Sequence, residues 1–290
     1  MAKRITIIGG TGRMGKWFAK FFQKKGYNVI ISSRSPKKAA SIAKEIEVEY
    51  ETNCYKASHN ADIVLIATPI EVTAEIIHKI SKSMKTGSIL FDIASVKGEI
   101  IKALEEAEAL GIRTLSVHPL FGPGAKTIDG KKVLIIPVNK SFELLKEVSE
   151  LFKGASIHVI ESGKEHDKMI ALTLSLPHFL NIVFGKTISK FDIRALKKFK
   201  GTTFTLQLLI SESVLSEDPD LYYEIQKQNQ VFPEILNILL EVIKESALSI
   251  KNGNKEQFCL DFKKARVALS RDPEFQYAYE KFYKALEVVT

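Results

Sequence analysis

Short apolar runs alternate with amphipathic stretches along the first half of the chain. Between the runs, apolar residues recur at helical spacing, as in Gly15–Lys25 and Lys37–Ile46. Buried strands that alternate with helices predict an α/β fold with a doubly wound parallel sheet. The runs that we expect to form its strands are Ile5–Ile8, Val29–Ser32, Ile63–Ala67, Ile89–Ile93, Leu115–Val117 and Val133–Val138.

The pattern changes after Ser162. Nearly every later stretch places apolar residues three and four positions apart, which predicts an all-helical second half. We therefore predict two domains, residues 1–162 and residues 163–290. The second contains more apolar helix than one small bundle needs. This surplus predicts a dimerisation domain and a homodimer formed through it.

Composition excludes several classes of protein. The chain has 290 residues, of which 45% are hydrophobic and 26% charged, as in ordinary globular proteins. Cys54 and Cys259 lack the spacing of a metal site, which predicts no metal and a reducing, cytoplasmic location. The N-terminal apolar run is too short for a signal peptide, and no run approaches about 18 apolar residues, so we expect no membrane partner. The net charge of +8 is spread along the chain, which favours a small anionic substrate over nucleic acid.

A glycine-rich loop directly follows the first predicted strand. Gly10-Thr11-Gly12-Arg13-Met14-Gly15 matches the pattern G-x-G-x-x-G, and a helix opens near Met14. Glycines at these positions allow a tight turn, a close approach of backbone to a pyrophosphate, and packing of the helix on the strand. The N-terminus of that helix then favours the anion. The loop predicts a Rossmann domain that binds a dinucleotide; the alternative is a tight structural turn in another α/β protein.

The end of the second strand distinguishes the two nicotinamide cofactors. NAD sites usually carry an acidic residue there, which binds the ribose 2′-hydroxyl. Here the strand is followed by Ser33, Arg34 and Ser35, and then by Lys37 and Lys38. Hydroxyls and cations suit a 2′-phosphate, which an arginine can bind through two parallel hydrogen bonds. We predict that Ser33, Arg34, Ser35 and Lys38 bind NADP; the alternative is that they are solvated residues at a helix start.

Further segments follow other predicted strands, and in such sheets ligands bind outside the carboxyl ends of the strands. Thr68 and Pro69 belong to a segment of small residues that can pass beneath a nicotinamide, so we predict that they bind the cofactor. His118 stands at a strand tip beside Pro119. A lone histidine is more often structural, but at this position it is suited to act as an acid or base near neutral pH.

These segments together resemble the prephenate dehydrogenase family. The resemblance includes the glycine loop, which is not specific to the family, and covers nearly the whole chain in order. Its fairly specific part is His118-Pro119-Leu120-Phe121-Gly122-Pro123. The other similar segments are Ser95-Val96-Lys97, His166-Asp167, Leu176-Pro177-His178-Phe179 and Asp218-Pro219-Asp220-Leu221-Tyr222.

The resemblance implies oxidative decarboxylation of prephenate, or of its amino relative arogenate, in tyrosine biosynthesis, and the residues after the second strand predict NADP as the cofactor. It implies that His118 takes the proton of the substrate hydroxyl, that Ser95 orients both groups, and that His178 faces the substrate. It also implies a dinucleotide domain followed by a helical dimerisation domain, and we expect no regulatory domain after the helices.

Structural roles are the alternatives for three of these residues. Ser95 is also suited to cap a helix. His178 is also suited to be a buried histidine with satisfied hydrogen bonds. For His166 we favour the structural interpretation, because Glu165-His166-Asp167-Lys168 at a helix start is commonly a solvated cap.

The chain departs from the family at two positions where the resemblance implies arginines, the later of which would bind the ring carboxylate of the substrate. Ser213 and Thr205 stand at those positions. Without a bidentate partner, a dianionic substrate would be poorly held. Other cations could compensate, and among them we predict Lys126 as a substrate-binding residue. The remaining candidates are Arg194, Lys197, Lys198 and Lys200.

Three other functions remain open. A β-hydroxyacid dehydrogenase would have a lysine followed four residues later by asparagine on its first long helix, but Lys168 is followed by Leu172 there. A deazaflavin-linked NADP reductase would have a loop like Gly9-Gly10-Thr11-Gly12, but the long helical half argues against it. A non-catalytic protein that senses NADP(H) would explain the missing arginine, yet it would not need Ser95 and His118.

Overall fold

The structure, a computed structural model, describes residues 2–139 and 141–289. Its strands are β1 (Arg4–Ile8), β2 (Asn28–Ser32), β3 (Glu49–Glu51), β4 (Ile63–Ile66), β5 (Ile89–Asp92), β6 (Arg113–Pro119), β7 (Lys132–Pro137) and β8 (Ser156–Val159). Within the described residues they form one eight-stranded sheet in the order β3-β2-β1-β4-β5-β6-β7-β8.

Helices connect the strands of the first half and make up nearly all of the second. The connecting helices are α1 (Arg13–Lys24), α2 (Pro36–Ile46), α3 (Cys54–His59), α4 (Ile70–Ser81), α5 (Gly98–Glu108) and α6 (Phe142–Leu151). The later helices are α7 (Gly163–Ile170), α8 (Leu176–Ile188), α9 (Ile193–Lys198), α10 (Thr202–Leu215), α11 (Pro219–Gln228), α12 (Phe232–Lys251), α13 (Lys255–Leu269) and α14 (Ala278–Val289). A π-helical turn, Ala171–Ser175, follows α7, and a 3₁₀ turn, Pro273–Tyr277, precedes α14.

The central strands pair in parallel, and this confirms the predicted fold class of a doubly wound sheet followed by a mostly helical region. One pair differs: β7 runs antiparallel to β6, with His118 opposite Leu134. The segment between these two strands contains no helix. The chain therefore turns back directly and does not cross over the sheet, and an antiparallel neighbour results.

Two edge strands are absent from the sequence prediction. β3 consists of Glu49, Tyr50 and Glu51, and β8 is mostly exposed to solvent. Both lie at an edge of the sheet, where one side of the strand has no partner strand. Edge strands as short as these discourage pairing with other chains. They lack the apolar run by which the central strands can be recognised.

The central strands are buried on both faces, because helices cover both sides of the sheet. In β4, Leu65 packs with Phe18 and Phe22 of α1 on one face, whereas Val64 packs with Ile77 of α4 on the other. Successive strand residues point to opposite faces, so burial on both sides requires a continuous apolar run. This is why the runs in the sequence located these strands.

The chain forms two compact units. The first contains the residues up to Ala171 together with Asp220–Gln230, and the second contains Leu172–Pro219 and the residues from Val231 onward. Within the first unit, the Asn229 side chain that follows α11 donates from Nδ2 to the main-chain oxygen of Asp167 at 2.8 Å. The predicted division of the chain at residue 162 stays a prediction.

The second unit has a small polar cluster between α8 and α10. Asn181 accepts hydrogen bonds on Oδ1 from Gln207 Nε2 at 2.9 Å and from Ser211 Oγ at 2.8 Å. A Cβ at Gly185 would lie 2.3 Å from Leu215 Cδ1, so glycine allows the two helices to approach closely. Many large apolar residues of α12, α13 and α14 are exposed, among them Ile243, Leu248, Phe262, Val267 and Val288.

One helical stretch of the described chain, Gly163–Ile188, is long and apolar enough to cross a membrane by length and composition alone. Its first turns hold His166 and Asp167, both buried and both hydrogen-bonded within the first unit. Charged or polar groups of this kind are costly in a bilayer. The first turns of this stretch are therefore packed within the first unit.

Candidate active site

The loops that the sequence analysis selected lie at one edge of the sheet. β1, β4 and β5 are neighbours, and each is followed by one of these loops. Ala67 donates its main-chain N–H to Ile8 at 2.8 Å, and Ile93 donates to Ile66 at 3.1 Å, so the parallel pairing continues up to the loops. Ligands of doubly wound sheets bind at this carboxyl edge.

The glycine loop between β1 and α1 is shaped by close backbone contacts. Gly9 has a φ of 82° and donates its N–H to the main-chain oxygen of Ser32 at 2.9 Å. A Cβ at Gly15 would lie 2.3 Å from the oxygen of Gly9, so only glycine lets α1 begin against the loop. The left-handed turn thus falls on Gly9, one residue before the motif in the sequence.

The N-terminus of α1 is not capped by a side chain and is therefore available to a ligand. Gly12 is the N-cap residue, and no side chain caps the helix. The first N–H groups of a helix lack intrahelical partners and, with the helix dipole, favour an anion. A cradle of glycines that leads into such a helix start fits the pyrophosphate of a dinucleotide.

The β2 end, residues 33–38, is tied to the glycine loop by side chains. Thr11 Oγ1 donates to Ser33 Oγ at 2.8 Å. Ser35 is the N-cap of α2 and accepts from the N–H of Lys38 at 3.4 Å, which orders the start of that helix. Arg34, Lys37 and Lys38 are exposed and form no ion pair with the described residues. The predicted cations therefore lie near the loop with their charges uncompensated.

The segment after β4 is held by its own hydroxyls. Thr68 Oγ1 lies 3.0 Å from Thr73 Oγ1, and Thr73 donates to the main-chain oxygen of Pro69 at 2.9 Å. Pro69 is the N-cap of α4. These contacts fix the backbone of the predicted nicotinamide segment at the carboxyl edge of the sheet.

His118 lies near the carboxyl end of β6 and is only 3% exposed. Its Nδ1 lies 2.9 Å from Nε2 of His166, the buried histidine of α7. Burial, reinforced by the nearby His166 and Lys97, holds the pKa of His118 well below its ordinary value. The imidazole is therefore neutral at physiological pH, as proton abstraction requires. Its Nε2 makes no hydrogen bond with residues 2–139 and 141–289.

A chain of buried polar side chains continues from His118, and we name it the buried polar network: Asp92, Lys97, Ser116, His118, His166 and Asp167. Lys97 Nζ donates to Asp92 Oδ1 and to the main-chain oxygen of Val117, both at 2.8 Å. Ser116 Oγ donates to the other oxygen of Asp92. The buried carboxylate of Asp92 is thus paired and hydrogen-bonded, as buried charges must be.

Asp167 connects α7 to the start of α5. Its carboxylate accepts the main-chain N–H of Lys97 at 2.9 Å and that of Gly98 at 3.0 Å, at the N-terminus of α5. Its Oδ1 also lies 2.8 Å from His166 Nδ1. The ring of His166 is completely buried. The expectation of a solvated cap was wrong for His166, because its ring points inward to His118; the helix is capped by Ser162.

Ser95 lies in the loop after β5 and is half-buried. It does not cap α5, whose N-cap residue is Lys97 and whose first N–H groups bond to Asp167. Its hydroxyl makes no hydrogen bond with the described residues. The capping alternative therefore does not apply, and a role for Ser95 toward the substrate stays a prediction.

The loop between β6 and β7 is anchored on α1. Trp17 Nε1 donates to the main-chain oxygen of Ala125 at 2.7 Å, and the Trp17 ring lies 5.0 Å from that of Phe121. Lys126 follows Ala125 and is exposed. The predicted substrate-binding lysine is thus carried by a loop that is fixed next to the helix of the glycine motif.

In the second unit, His178 lies in the first turn of α8, and burial lowers its pKa. Ser213 is exposed on α10, and Thr205 donates its hydroxyl to the main-chain oxygen of Gly201 at 2.9 Å. Neither side chain can replace the charge of an arginine. The roles of His178 and Lys126 toward a substrate stay predictions.

Comparisons with known proteins agree with this geometry. A family model described as "Prephenate dehydrogenase, nucleotide-binding domain" matches residues 18–161, and one described as "Prephenate dehydrogenase, dimerization domain" matches residues 162–264. The "Probable arogenate/prephenate dehydrogenase" of Methanocaldococcus jannaschii is 34% identical over 267 residues, which cover 90% of this chain and 60% of that protein. The "T-protein" of Enterobacter agglomerans is 26% identical over 262 residues, which cover 89% of this chain and 65% of that protein.

The chain thus spans 60% and 65% of the length of these two curated relatives. Among solved structures, it is similar to prephenate dehydrogenase from A. aeolicus in complex with hydroxyphenyl propionate and NAD+. The TM-score is 0.75 at 21% identity, with 93% of this chain and 98% of that chain covered. At this identity the likeness shows a common fold.

Proposed function

Because the chain belongs to the prephenate dehydrogenase family, we propose that it catalyses the NADP-dependent oxidative decarboxylation of prephenate or arogenate, in tyrosine biosynthesis. The observation that carries the proposal is the neutral, buried His118 at the carboxyl edge of the sheet that also carries the glycine loop. An enzyme that oxidises a hydroxyl group with a nicotinamide cofactor needs a nucleotide-binding loop and a base at the same edge of the sheet.

Residues of this chain would move the proton and orient the substrate. Bound NADP would accept the hydride from the hydroxyl-bearing carbon of the substrate. His118 takes the hydroxyl proton as the carbonyl develops, and Ser95 orients the histidine and the hydroxyl. The ring carboxylate leaves as carbon dioxide and the ring becomes aromatic. General base catalysis of this kind contributes roughly 100- to 10,000-fold to the rate.

The choice of NADP is supported by the β2 end. Arg34 and Lys38 are exposed next to the glycine loop, and the described residues there include no acid that could bind a ribose 2′-hydroxyl. Exposed cations without an acidic partner suit a 2′-phosphate. The related A. aeolicus structure is a complex with NAD+.

We also propose that the chain acts as a cytoplasmic homodimer formed through the helical unit. The family model over residues 162–264 is that of a dimerization domain. The exposed apolar residues of α12 and α13, such as Leu248 and Phe262, support an interface there. Light scattering after size-exclusion chromatography should give twice the mass of one chain, and a monomer at micromolar concentration would contradict this.

A steady-state assay with both substrates and both cofactors tests the main proposal. We expect reduced nicotinamide to form with prephenate or arogenate, and kcat/KM to be at least about tenfold higher with NADP than with NAD, since a charge-assisted contact contributes about 1.5–3 kcal/mol. Tight binding of NADP without turnover of either acid would instead support the non-catalytic sensor, which the absence of arginine at positions 205 and 213 favours.

A further inference from the structure

The buried side chains of Asp167, His166 and His118 contact one another in series, with His166 in the middle. Asp167 Oδ1 lies 2.8 Å from His166 Nδ1, and His166 Nε2 lies 2.9 Å from His118 Nδ1. Each neutral imidazole has one N–H donor and one nitrogen acceptor, and the partner of one nitrogen decides the state of the other. The order of donors along this series therefore decides which nitrogen of His118 can accept a proton.

The first link is fixed by the surroundings of Asp167. Its carboxylate accepts the main-chain N–H groups of Lys97 and Gly98, which can only donate, at the N-terminus of α5. Such donors and the helix dipole stabilise the ionised form. An ionised carboxylate only accepts hydrogen bonds, so the N–H in this contact belongs to His166 Nδ1.

The second link follows from the first. Burial lowers the pKa of His166 despite its hydrogen bond to Asp167, and the ring is therefore neutral. With its proton on Nδ1, His166 presents a lone pair on Nε2. The contact of 2.9 Å to His118 is then a hydrogen bond that His118 Nδ1 donates. His118, also neutral, is left with its lone pair on Nε2.

We infer that Asp167 and His166 are positioning residues that fix the tautomer of His118, so that its Nε2 is the atom that accepts the substrate proton. This Nε2 makes no hydrogen bond with the described residues, in agreement with that role. When Nε2 takes the proton, the new imidazolium keeps its Nδ1–H bond to His166. The tautomer depends on the structure alone, whereas its consequence for catalysis rests on the proposed function.

The wild-type protein tests the tautomer directly. With ¹⁵N-labelled histidine, long-range ¹H–¹⁵N NMR distinguishes a protonated from an unprotonated ring nitrogen, and the His118→Asn variant identifies the signals of His118. At pH 7 we expect a protonated Nδ1 and an unprotonated Nε2. A protonated Nε2 at this residue would overturn the inference whether or not the protein turns over prephenate.

The Asp167→Asn substitution should reverse the direction of the hydrogen bond between residue 167 and His166, with little change in side-chain volume. In Asp167, Oδ2 accepts from the N–H groups of both Lys97 and Gly98, whereas Oδ1 contacts His166 Nδ1. The amide oxygen of the asparagine can keep both bonds only in the place of Oδ2, with the amide nitrogen facing His166 Nδ1. That nitrogen donates, so His166 must carry its proton on Nε2 and donate to His118. We expect the protonated nitrogen of His118 to change to Nε2 and kcat to fall at least about 100-fold. An unchanged tautomer in the folded variant would overturn the inference.

His166→Gln and His166→Leu separate positioning from packing. A glutamine oxygen can still accept from His118 Nδ1, whereas leucine offers no acceptor. We expect kcat of the glutamine variant to exceed that of the leucine variant at least about tenfold. Equal losses in the two variants would contradict a positioning role. Glu165→Gln, on the exposed side of the same helix, is the control and should leave kcat unchanged.

Discussion

The buried polar network and the β2 end lie at the same edge of one sheet and are built in opposite ways. In the network, Lys97 and Asp92 are completely buried, and every side chain has at least one partner within hydrogen-bond distance. At the β2 end, Arg34 and Lys38 are exposed and form no ion pair with the described residues. Apart from His118 Nε2, the polar groups of the network bond to one another or to the main chain, whereas the β2 end presents its charges to a ligand.

This difference indicates how each region tolerates change. Removing one member of a buried network leaves another group buried without its partner, which is expensive. Removing an exposed cation leaves nothing buried and changes only what the surface attracts. We therefore expect changes in the network to affect turnover and folding together, and changes at the β2 end to affect the choice of cofactor alone.

The largest effect should come from His118→Asn. The variant loses the base, and we expect kcat to fall between about 100- and 10,000-fold while NADP binding is retained. Steady-state kinetics and a fluorescence titration with NADP measure the two quantities. His158→Asn, at an exposed histidine of β8, is the matched control. Turnover retained in the His118 variant would remove this residue from the reaction.

The Lys97→Met variant should unfold more easily than a variant with the same change at an exposed lysine. It leaves Asp92 buried without its cation, which costs about 3–5 kcal/mol. Lys102→Met, on the same helix, breaks an exposed pair with Glu99 and should cost less than about 1 kcal/mol. Guanidinium unfolding compares the two variants. An equal loss of unfolding free energy in the two variants would contradict the cost expected for leaving Asp92 buried without its cation.

Arg34→Asp tests whether the β2 end selects the cofactor. The aspartate removes a partner of the 2′-phosphate and can accept from a ribose hydroxyl, so kcat/KM for NADP relative to NAD should fall by about 10- to 100-fold. Lys44→Asp, in the last turn of α2, makes the same change of charge away from the loop. An unchanged cofactor ratio in the Arg34 variant would refute the assignment of the 2′-phosphate.

The pH dependence of stability is the smallest effect that we predict. Because burial lowers the pKa values of His118 and His166, the unfolded chain binds protons below pH about 6.5 that the folded chain does not. The free energy of unfolding should therefore fall as the pH falls below that value, by up to about 1.4 kcal/mol per pH unit for each histidine. Denaturant midpoints at several pH values should show a shallower fall in His118→Asn than in the wild type.

Turnover, like stability, should fall as the pH falls. His118 must be neutral to accept a proton, so activity should persist below pH 6.5 and fall only near the lowered pKa of this residue. A loss of activity centred at the ordinary pKa of histidine would show that burial does not govern this group.

Much of the fold could be predicted because the central strands are buried on both faces. Their continuous apolar runs stand out in the sequence, as Ile63–Ile66 and Ile89–Asp92 show. The edge strands Glu49–Glu51 and Ser156–Val159 could not be found in this way, since an exposed edge needs no apolar residues. The strand β7 was predicted from the run Val133–Val138, but its antiparallel direction was not, because direction depends on the connection and not on the residues of the strand.

The sequence by itself determined the loops that follow the strands, since glycines between a strand and a helix leave few alternatives. It also placed His118 at a strand tip. Only the tertiary structure decided that His166, 48 residues away, contacts the ring of His118. A side chain in a helix start has the same local sequence whether it points to solvent or inward. Its direction depends on the packing of α7 against α5, which no local pattern records.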